Sequence, residues 1–180
     1  MIISNKETAL LGLLCEEKMH AYKIEEEIKN RSMREWTEIS MSSVYKLSRK
    51  LEEKGLIKSE IKISKNNRSQ KIYSITPLGK KELKEKIIFL LSEPEHMNFR
   101  IDLATSNLDQ LTKKEALVCL EKYQNKLKEN LKCYIELGDY LRNCECPKHR
   151  LALSKRPQYL IKGELQWVKS YIQEIEKEMD

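Results

Sequence analysis

The chain has 180 residues, of which 40% are hydrophobic and 34% are charged, a length that excludes a large multidomain enzyme. Only two Phe, two Trp and five Gly stand against many Lys, Glu, Leu and Ile, which argues against a β-sandwich or barrel and predicts a mainly α fold. The net charge of +6 favours an anionic partner.

The amino-terminal segment indicates two helices. The apolar run over residues 8–14 predicts a buried first helix, and residues 20–32 predict a second. In the second helix Tyr22, Ile24 and Ile28 form the expected apolar face against a run of glutamates. Residues 36–39 are expected to be a short extended segment.

A third helix is predicted over residues 41–54. Ser40 suits its cap, and Gly55 suits its end because glycine adopts the left-handed conformation without strain. Val44, Leu47 and Leu51 recur at helical spacing, so the polar residues between them form an opposite, outward face.

After Gly55 the apolar period changes from that of a helix to that of a strand. Ile57, Ile61 and Ile63 alternate with charged residues, and the alternation resumes at residues 72–75 after a polar turn, which indicates a hairpin. Thr76 followed by Pro77 predicts the start of a fourth helix that runs to about residue 91.

The rest of the chain predicts long helices after a connector at residues 93–110. Thr112 and Glu115 form a capping box that opens a helix to about residue 141. That helix carries a coiled-coil seam, and a second stripe of apolar residues lies near the carboxyl terminus. The two stripes can pair within one chain or between chains. At one position of the seam either Asn130 or its neighbour Leu131 faces inward. The predicted dimerisation residues are Leu120, Tyr123, Leu127, Tyr134, Leu137, Leu141, Leu165, Val168, Ile172 and Ile175.

The order helix, helix, short strand, helix, hairpin is that of a winged helix-turn-helix, in which the third helix enters the DNA major groove. We therefore expect a winged helix-turn-helix DNA-binding domain at residues 1–92 and a helical, coiled-coil-like dimerisation domain at residues 111–180. The outward face and the hairpin tip supply small hydroxyls and long polar or basic side chains for phosphates and bases. These are Ser42, Ser43, Tyr45, Lys46, Arg49, Lys65, Asn67, Arg68 and Gln70.

Three motifs in order resemble the amino-terminal domain of PadR-type transcriptional regulators. They are L-L-G-L-L followed by H-A-Y-K-I, then S-S-V-Y-K-L-S-R-K-L-E-E-K-G-L-I, then N-R-S-Q-K-I-Y-S-I-T-P-L-G. The resemblance implies a dimeric repressor that binds double-stranded DNA at an inverted repeat. It also implies that His20 and Tyr22 contact DNA, and that a small apolar or aromatic effector can release the protein. The aromatic candidates for effector contact are Trp36, Phe99, Trp167 and Tyr171.

The cysteines and the amino terminus favour a cytoplasmic protein. Residues 9–15 are too short an apolar run to cross a membrane, and five cysteines form an odd set that suits free thiols. Cys15 and Cys119 stand at apolar helix positions. Cys144, Cys146 and His149 share one short segment that is typical of a partial zinc site or a redox pair. Zinc needs four ligands, and Cys133 is the one nearby candidate for the fourth, so we assign no metal.

No catalytic or cofactor motif occurs, so we expect no enzyme and no cofactor. A different class of function stays open, that of a protein-binding adaptor whose long helices are the working surface. Such an adaptor would bind DNA weakly, and loss of charge in the hairpin would not change that binding.

Overall fold

The structure is a computed structural model that describes residues 3–37, 39, 43–63, 69–96, 99–144 and 146–177, apart from the side chains of Glu35 and Ser43. The chain divides into two compact units, Met1–His96 and Met97–Asp180. The first unit contains helices α1 (Asn5–Glu16), α2 (Ala21–Asn30), α3 (Ser43–Glu53) and α4 (Pro77–Ser92), and strands β1 (Met19–His20), β2 (Ile57–Ile63) and β3 (Ser69–Ile75). The second contains α5 (Arg100–Thr105), α6 (Lys113–Asn143) and α7 (Ala152–Lys177). The predicted mainly α fold class is confirmed.

The sheet has three antiparallel strands in the order β1-β3-β2. Strands β2 and β3 form the predicted hairpin, in register from Ile57 opposite Ile75 to Ile63 opposite Ser69. Met19 pairs with Tyr73, so the start of α2 is attached to the hairpin. The predicted turn and the expected cap at Ser40 lie outside the described residues.

The extended segment predicted at residues 36–39 is wrong at Trp36 and Thr37, and residue 38 lies outside the described residues. A short 3-10 helix, Met33–Glu35, occupies the turn before it, and the third strand of the sheet is β1 instead. Thr37 Oγ1 donates a hydrogen bond of 2.7 Å to the carbonyl of Met33, which keeps the backbone coiled at this point. A two-residue strand such as β1 carries too little alternation to be predicted from sequence.

The core of the first unit lies between α1, α2, α3 and the root of the hairpin. Leu10, Ile24, Leu51 and Leu56 are all fully buried there. The prediction that Tyr22 belongs to the apolar face of α2 is wrong, because its side chain is 73% exposed. Two residues correspond to about 200° around a helix, so Tyr22 lies opposite Ile24.

Glu7 connects the amino end of α1 to the carboxyl end of α3. It completes a capping box with Ser4, whose hydroxyl accepts from the Glu7 N–H while the carboxylate accepts from the Ser4 N–H. The same carboxylate, 1% exposed, accepts 2.6 Å from Lys54 Nζ and lies 3.4 Å from Lys50 Nζ. Burial by itself raises the pKa of Glu7, but hydrogen bonds from Lys54 and Ser4 and the charge of Lys54 outweigh burial and lower it to about 2.

The junction between α3, the hairpin and α4 depends on one turn. Gly55 adopts φ +69°, and Thr76 caps α4 through a hydrogen bond from the Gly79 N–H, as predicted. The Thr76 hydroxyl also lies against the carbonyl of Gly55, at 2.8 Å. Gly79 packs directly on the carbonyl oxygen of Leu56, so this position has no room for a side chain.

In the second unit α6 and α7 pack along each other within the chain. The Thr112–Glu115 capping box is confirmed. Leu120 and Val168 are buried between the helices, and Tyr123 donates from its hydroxyl to Glu164 at 3.0 Å. Of the two neighbours considered for the seam, Asn130 is exposed and Leu131 is half-buried.

The remaining seam residues are less covered. Leu127, Tyr134, Leu141, Leu165, Ile172 and Ile175 are half-buried, and Leu137 is 38% exposed. The segment after α6 contains a 3-10 helix, Lys148–Leu151, before α7 begins, and α7 continues through Pro157. Residues 93–110, predicted as a connector, contain α5 and a 3-10 helix, Leu108–Gln110.

Replacing Glu7 by Gln is expected to lower the free energy of unfolding of the first unit by about 2 kcal/mol at pH 7, because two lysines lose a buried partner. Since the folded pKa is about 2 and the ordinary value is 4.5, this contribution is complete above pH 4.5 and is lost as the pH falls toward 2. Urea unfolding followed by Trp36 fluorescence in a Trp167→Phe background measures it. Equal stability of both proteins at pH 7 would contradict the assignment.

Replacing Gly79 by Ala is expected to cost about 2–4 kcal/mol, because the new methyl would overlap the Leu56 carbonyl oxygen and lie 2.9 Å from Ile75 Cγ1. Gly12→Ala is the matched control, since nothing lies within 4 Å of its added methyl. That control is expected to gain about 0.5–1 kcal/mol from helix propensity. Similar effects of the two changes in the same urea assay would refute the close contact.

Candidate nucleic-acid interface

The face of α3 opposite the core is uncovered. Tyr45 is 67% exposed, and the side chain of Arg49 is 82% exposed. Lys46 lies on the same face and forms no ion pair within the described ranges, while Arg49 pairs with Glu53 at 2.9 Å. Helical spacing therefore presents two cations and a phenol on one side of α3, as the sequence predicts.

The buried side of α3 fixes the direction of that outward face. Val44 and Leu51 are buried in the core, and Ser48 is fully buried without a hydrogen-bond partner in the described structure. A helix held by a wide buried stripe cannot rotate about its axis without exposing apolar area. The lysines at the carboxyl end of α3 add a second attachment through Glu7.

His20 is both a strand residue and the cap of α2. Its Nδ1 accepts a hydrogen bond of 3.0 Å from the Lys23 N–H, so Nε2 is the ring nitrogen that carries the proton in the neutral ring. The exposed ring of Tyr22 lies 6.3 Å from the imidazole, centroid to centroid. Both residues therefore stand at the amino end of α2, beside strand β3.

The hairpin is braced against α3 by Glu52, a residue that the sequence interpretation missed. Its carboxylate accepts from Lys71 Nζ on β3 at 2.7 Å and from the Ser59 hydroxyl on β2. The hydrogen bond from Lys71 is the main cause that lowers the pKa of Glu52, and Ser59 adds to it. One side chain thus ties both strands to the helix.

The basic hairpin is partly neutralised by an acid on its own surface. Glu60 lies 3.3 Å from Lys62 and 3.7 Å from Lys18, and Lys62 is the main cause that lowers the pKa of Glu60. Gln70 is exposed opposite Lys62. The predicted contacts Ser42, Lys65, Asn67 and Arg68 and the side chain of Ser43 lie outside the described residues.

Between the amino end of α2, the outward face of α3 and strand β3 lies a cleft of about 220 Å³. Four aromatic rings line it, those of His20, Tyr22, Tyr45 and Tyr73, together with side chains of residues 69–71. Tyr73 was not predicted as a site residue. The strand alternation could have identified it, because Tyr73 shares one face of β3 with Lys71.

The other predicted sites belong to both units of the chain. Trp36 and Phe99 are 53% and 50% exposed, and Trp167 stacks on Tyr171 with ring centroids 5.3 Å apart. All five cysteines are free, and Cys15 and Cys119 are exposed rather than buried at their helix positions. In the parts of the chain that the structure describes, no group of three His, Cys, Asp or Glu side chains is arranged to hold a metal.

No described helix has the length and apolar character needed to span a membrane. The sequence matches the model of the "Transcriptional regulator PadR-like family" over residues 10–85. No curated protein matched the sequence.

Several solved structures share the fold. The match to Bacillus subtilis PadR in complex with operator DNA has 21% sequence identity and a TM-score of 0.80, and it covers 96% of this chain and 99% of the PadR chain. The same protein with p-coumaric acid is 22% identical, with 95% and 98% coverage and a TM-score of 0.77. The Vibrio cholerae virulence activator AphA is 17% identical, with 94% and 97% coverage and a TM-score of 0.67.

Replacing Glu52 by Gln is expected to loosen the hairpin, because Lys71 loses the negative charge with which it pairs. Backbone amides of β2 and β3 should exchange with solvent about two- to fivefold faster, corresponding to about 0.5–1 kcal/mol for a partly exposed pair. Glu53→Gln is the control, since Glu53 pairs only along α3 with Arg49 among the contacts above. Equal hairpin exchange in both variants, measured by mass spectrometry, would exclude the brace.

Proposed function

Because residues 10–85 form a domain of the PadR-like family of transcriptional regulators, we propose that this chain is a sequence-specific DNA-binding repressor that acts as a homodimer on an inverted-repeat operator. The observation that carries the proposal is the uncovered basic face of α3 beside the hairpin. Lys46 and Arg49 project from a helix whose opposite side is fixed in the core. Such a helix can enter the major groove without rearrangement.

The contacts divide by chemistry. Lys46, Arg49 and the polar hairpin tip bind phosphates and supply affinity that does not depend on base sequence. Tyr45 and one of the cations reach base edges and supply selectivity. Arg49 exchanges its partner Glu53 for DNA, because a phosphate or a guanine edge offers a better acceptor arrangement for a guanidinium.

We assign residues 1–92 to DNA binding, residues 93–110 to a connector and residues 111–180 to dimerisation. The support is the pair of long helices α6 and α7, which keep apolar residues such as Leu137 partly exposed after packing on each other. A two-fold dimer would present two α3 helices to half-sites about 34 Å apart.

A small aromatic or apolar effector is proposed to lower the DNA affinity. The structure of Bacillus subtilis PadR in complex with p-coumaric acid, a small aromatic compound, supports this choice of chemistry. In the second unit the stacked pair of Trp167 and Tyr171 offers an aromatic surface, and Trp167 remains 37% exposed. An effector that binds without changing the affinity for operator DNA would have no regulatory role.

The test is binding of the purified protein to duplex DNA from upstream of its own gene across a salt series. The double variant Lys46→Ala, Arg49→Ala is expected to lose its preference over random DNA and to weaken roughly tenfold or more. Its salt slope should fall by about 1 for each lost phosphate contact. Lys155→Ala, Arg156→Ala on α7 removes the same charge elsewhere and is expected to bind like wild type.

Two results would count against the proposal. Equal losses in both double variants would mean that net charge, and not α3, carries the binding. Absence of binding to any duplex at low salt would favour the protein-binding adaptor instead.

A further inference from the structure

Tyr73, in the cleft between α2, α3 and β3, combines burial with an unused polar group. The residue is only 6% exposed, so its ring packs in the core of the first unit. Its hydroxyl forms no hydrogen bond with any described residue, and it is not sealed from solvent. The hydroxyl therefore opens on the cleft, and packing alone would be served as well by Phe.

Other donors line the same cleft. The His20 imidazole uses Nδ1 to cap α2, so its Nε2–H is left for a ligand. The Tyr45 phenol projects from α3 close enough to Tyr73 to influence its ionisation. Lys71 Nζ lies 5.5 Å from the centre of the Tyr73 ring and adds positive potential, although Glu52 already accepts a hydrogen bond from it.

These donors match a singly charged oxyanion with several acceptor lone pairs. A dense cluster of free cations is absent from the lining residues, so the cleft suits a phosphodiester better than a doubly charged phosphate monoester. Burial raises the pKa of Tyr73, which keeps the phenol protonated and able to donate. A hydroxyl donor to a charged oxygen forms a short, strong hydrogen bond.

The position of the cleft identifies the source of the phosphodiester. In the proposed complex α3 lies in a major groove and the hairpin, whose strand β3 lines the cleft, contacts the flanking sugar–phosphate strand. That strand must then cross the space between α3 and the hairpin. We infer that the cleft seats one phosphodiester of this strand, bound by the hydroxyl of Tyr73 with support from Tyr45 and from Nε2 of His20.

This inference rests on the proposed function and makes a distinct expectation about salt. Tyr73→Phe removes a neutral donor and no cation, so the number of counterions released on binding should not change. Affinity should fall roughly tenfold at every salt concentration, as for loss of a hydrogen bond to a charged group, with the salt slope unaltered. Loss of a lysine contact would change the slope instead.

The experiment compares wild type, Tyr73→Phe and Tyr159→Phe, the last being a tyrosine 76% exposed on α7. Thermal unfolding first checks that Tyr73→Phe is as stable as wild type, as expected for a hydroxyl without a partner. Each protein is then titrated with a set of operator duplexes that carry one neutral methylphosphonate at successive backbone positions. One position should weaken wild type and Tyr159→Phe more than it weakens Tyr73→Phe, in which Tyr45 and His20 still contact the phosphate.

Failure of the proposed function and failure of the phosphodiester seat give different results. If wild type binds no duplex at low salt, the proposed function and this inference fall together. If wild type binds and Tyr73→Phe binds equally well, the proposed function stands and the phosphodiester seat is refuted. If Tyr73→Phe binds more weakly but every methylphosphonate costs it as much affinity as it costs wild type, the phenol acts through the position of α3 or on a base, and the seat is likewise refuted.

Discussion

The buried carboxylate of Glu7 is the contact on which the proposed reading surface depends. It completes the cap of α1 and accepts from Lys54 at the carboxyl end of α3, so one charge joins two helices. An acid that is 1% exposed requires such partners, because unpaired burial of a charge is very unfavourable. The direction of α3 therefore follows from electrostatics at one end and from a wide apolar stripe along its length.

Glutamates also determine which cations of the first unit are available to DNA. Glu52 on α3 pairs with Lys71 of β3, Glu53 pairs with Arg49 along α3, and Glu60 lies between Lys62 and Lys18. Lys46 has no such partner among the described residues. The net charge of +6 is thus a poor guide to the interface, since it does not tell which of the 34 Lys and Arg side chains are engaged in structural pairs. In the cleft, neutral phenols are proposed to do what cations do elsewhere.

Periodicity predicted most of the helices, the hairpin and the caps at Thr76 and Thr112, because local rules govern them. It did not predict β1, whose two residues pair with a strand more than fifty positions later in the chain. The brace at Glu52 and the unused hydroxyl of Tyr73 are tertiary features, which no local spacing specifies. Glu7 is different, since Ser4 and Glu7 form a visible S-x-x-E box that extends α1 to the amino-terminal side of residue 8.

The central claim is that α3 reads bases in the major groove of each operator half-site. Dimethyl sulfate interference tests this claim, since the reagent methylates guanine N7 in the major groove and adenine N3 in the minor groove. We expect each half-site to show a block of guanine interference. Interference confined to adenines, or spread evenly along the duplex, would contradict the claim.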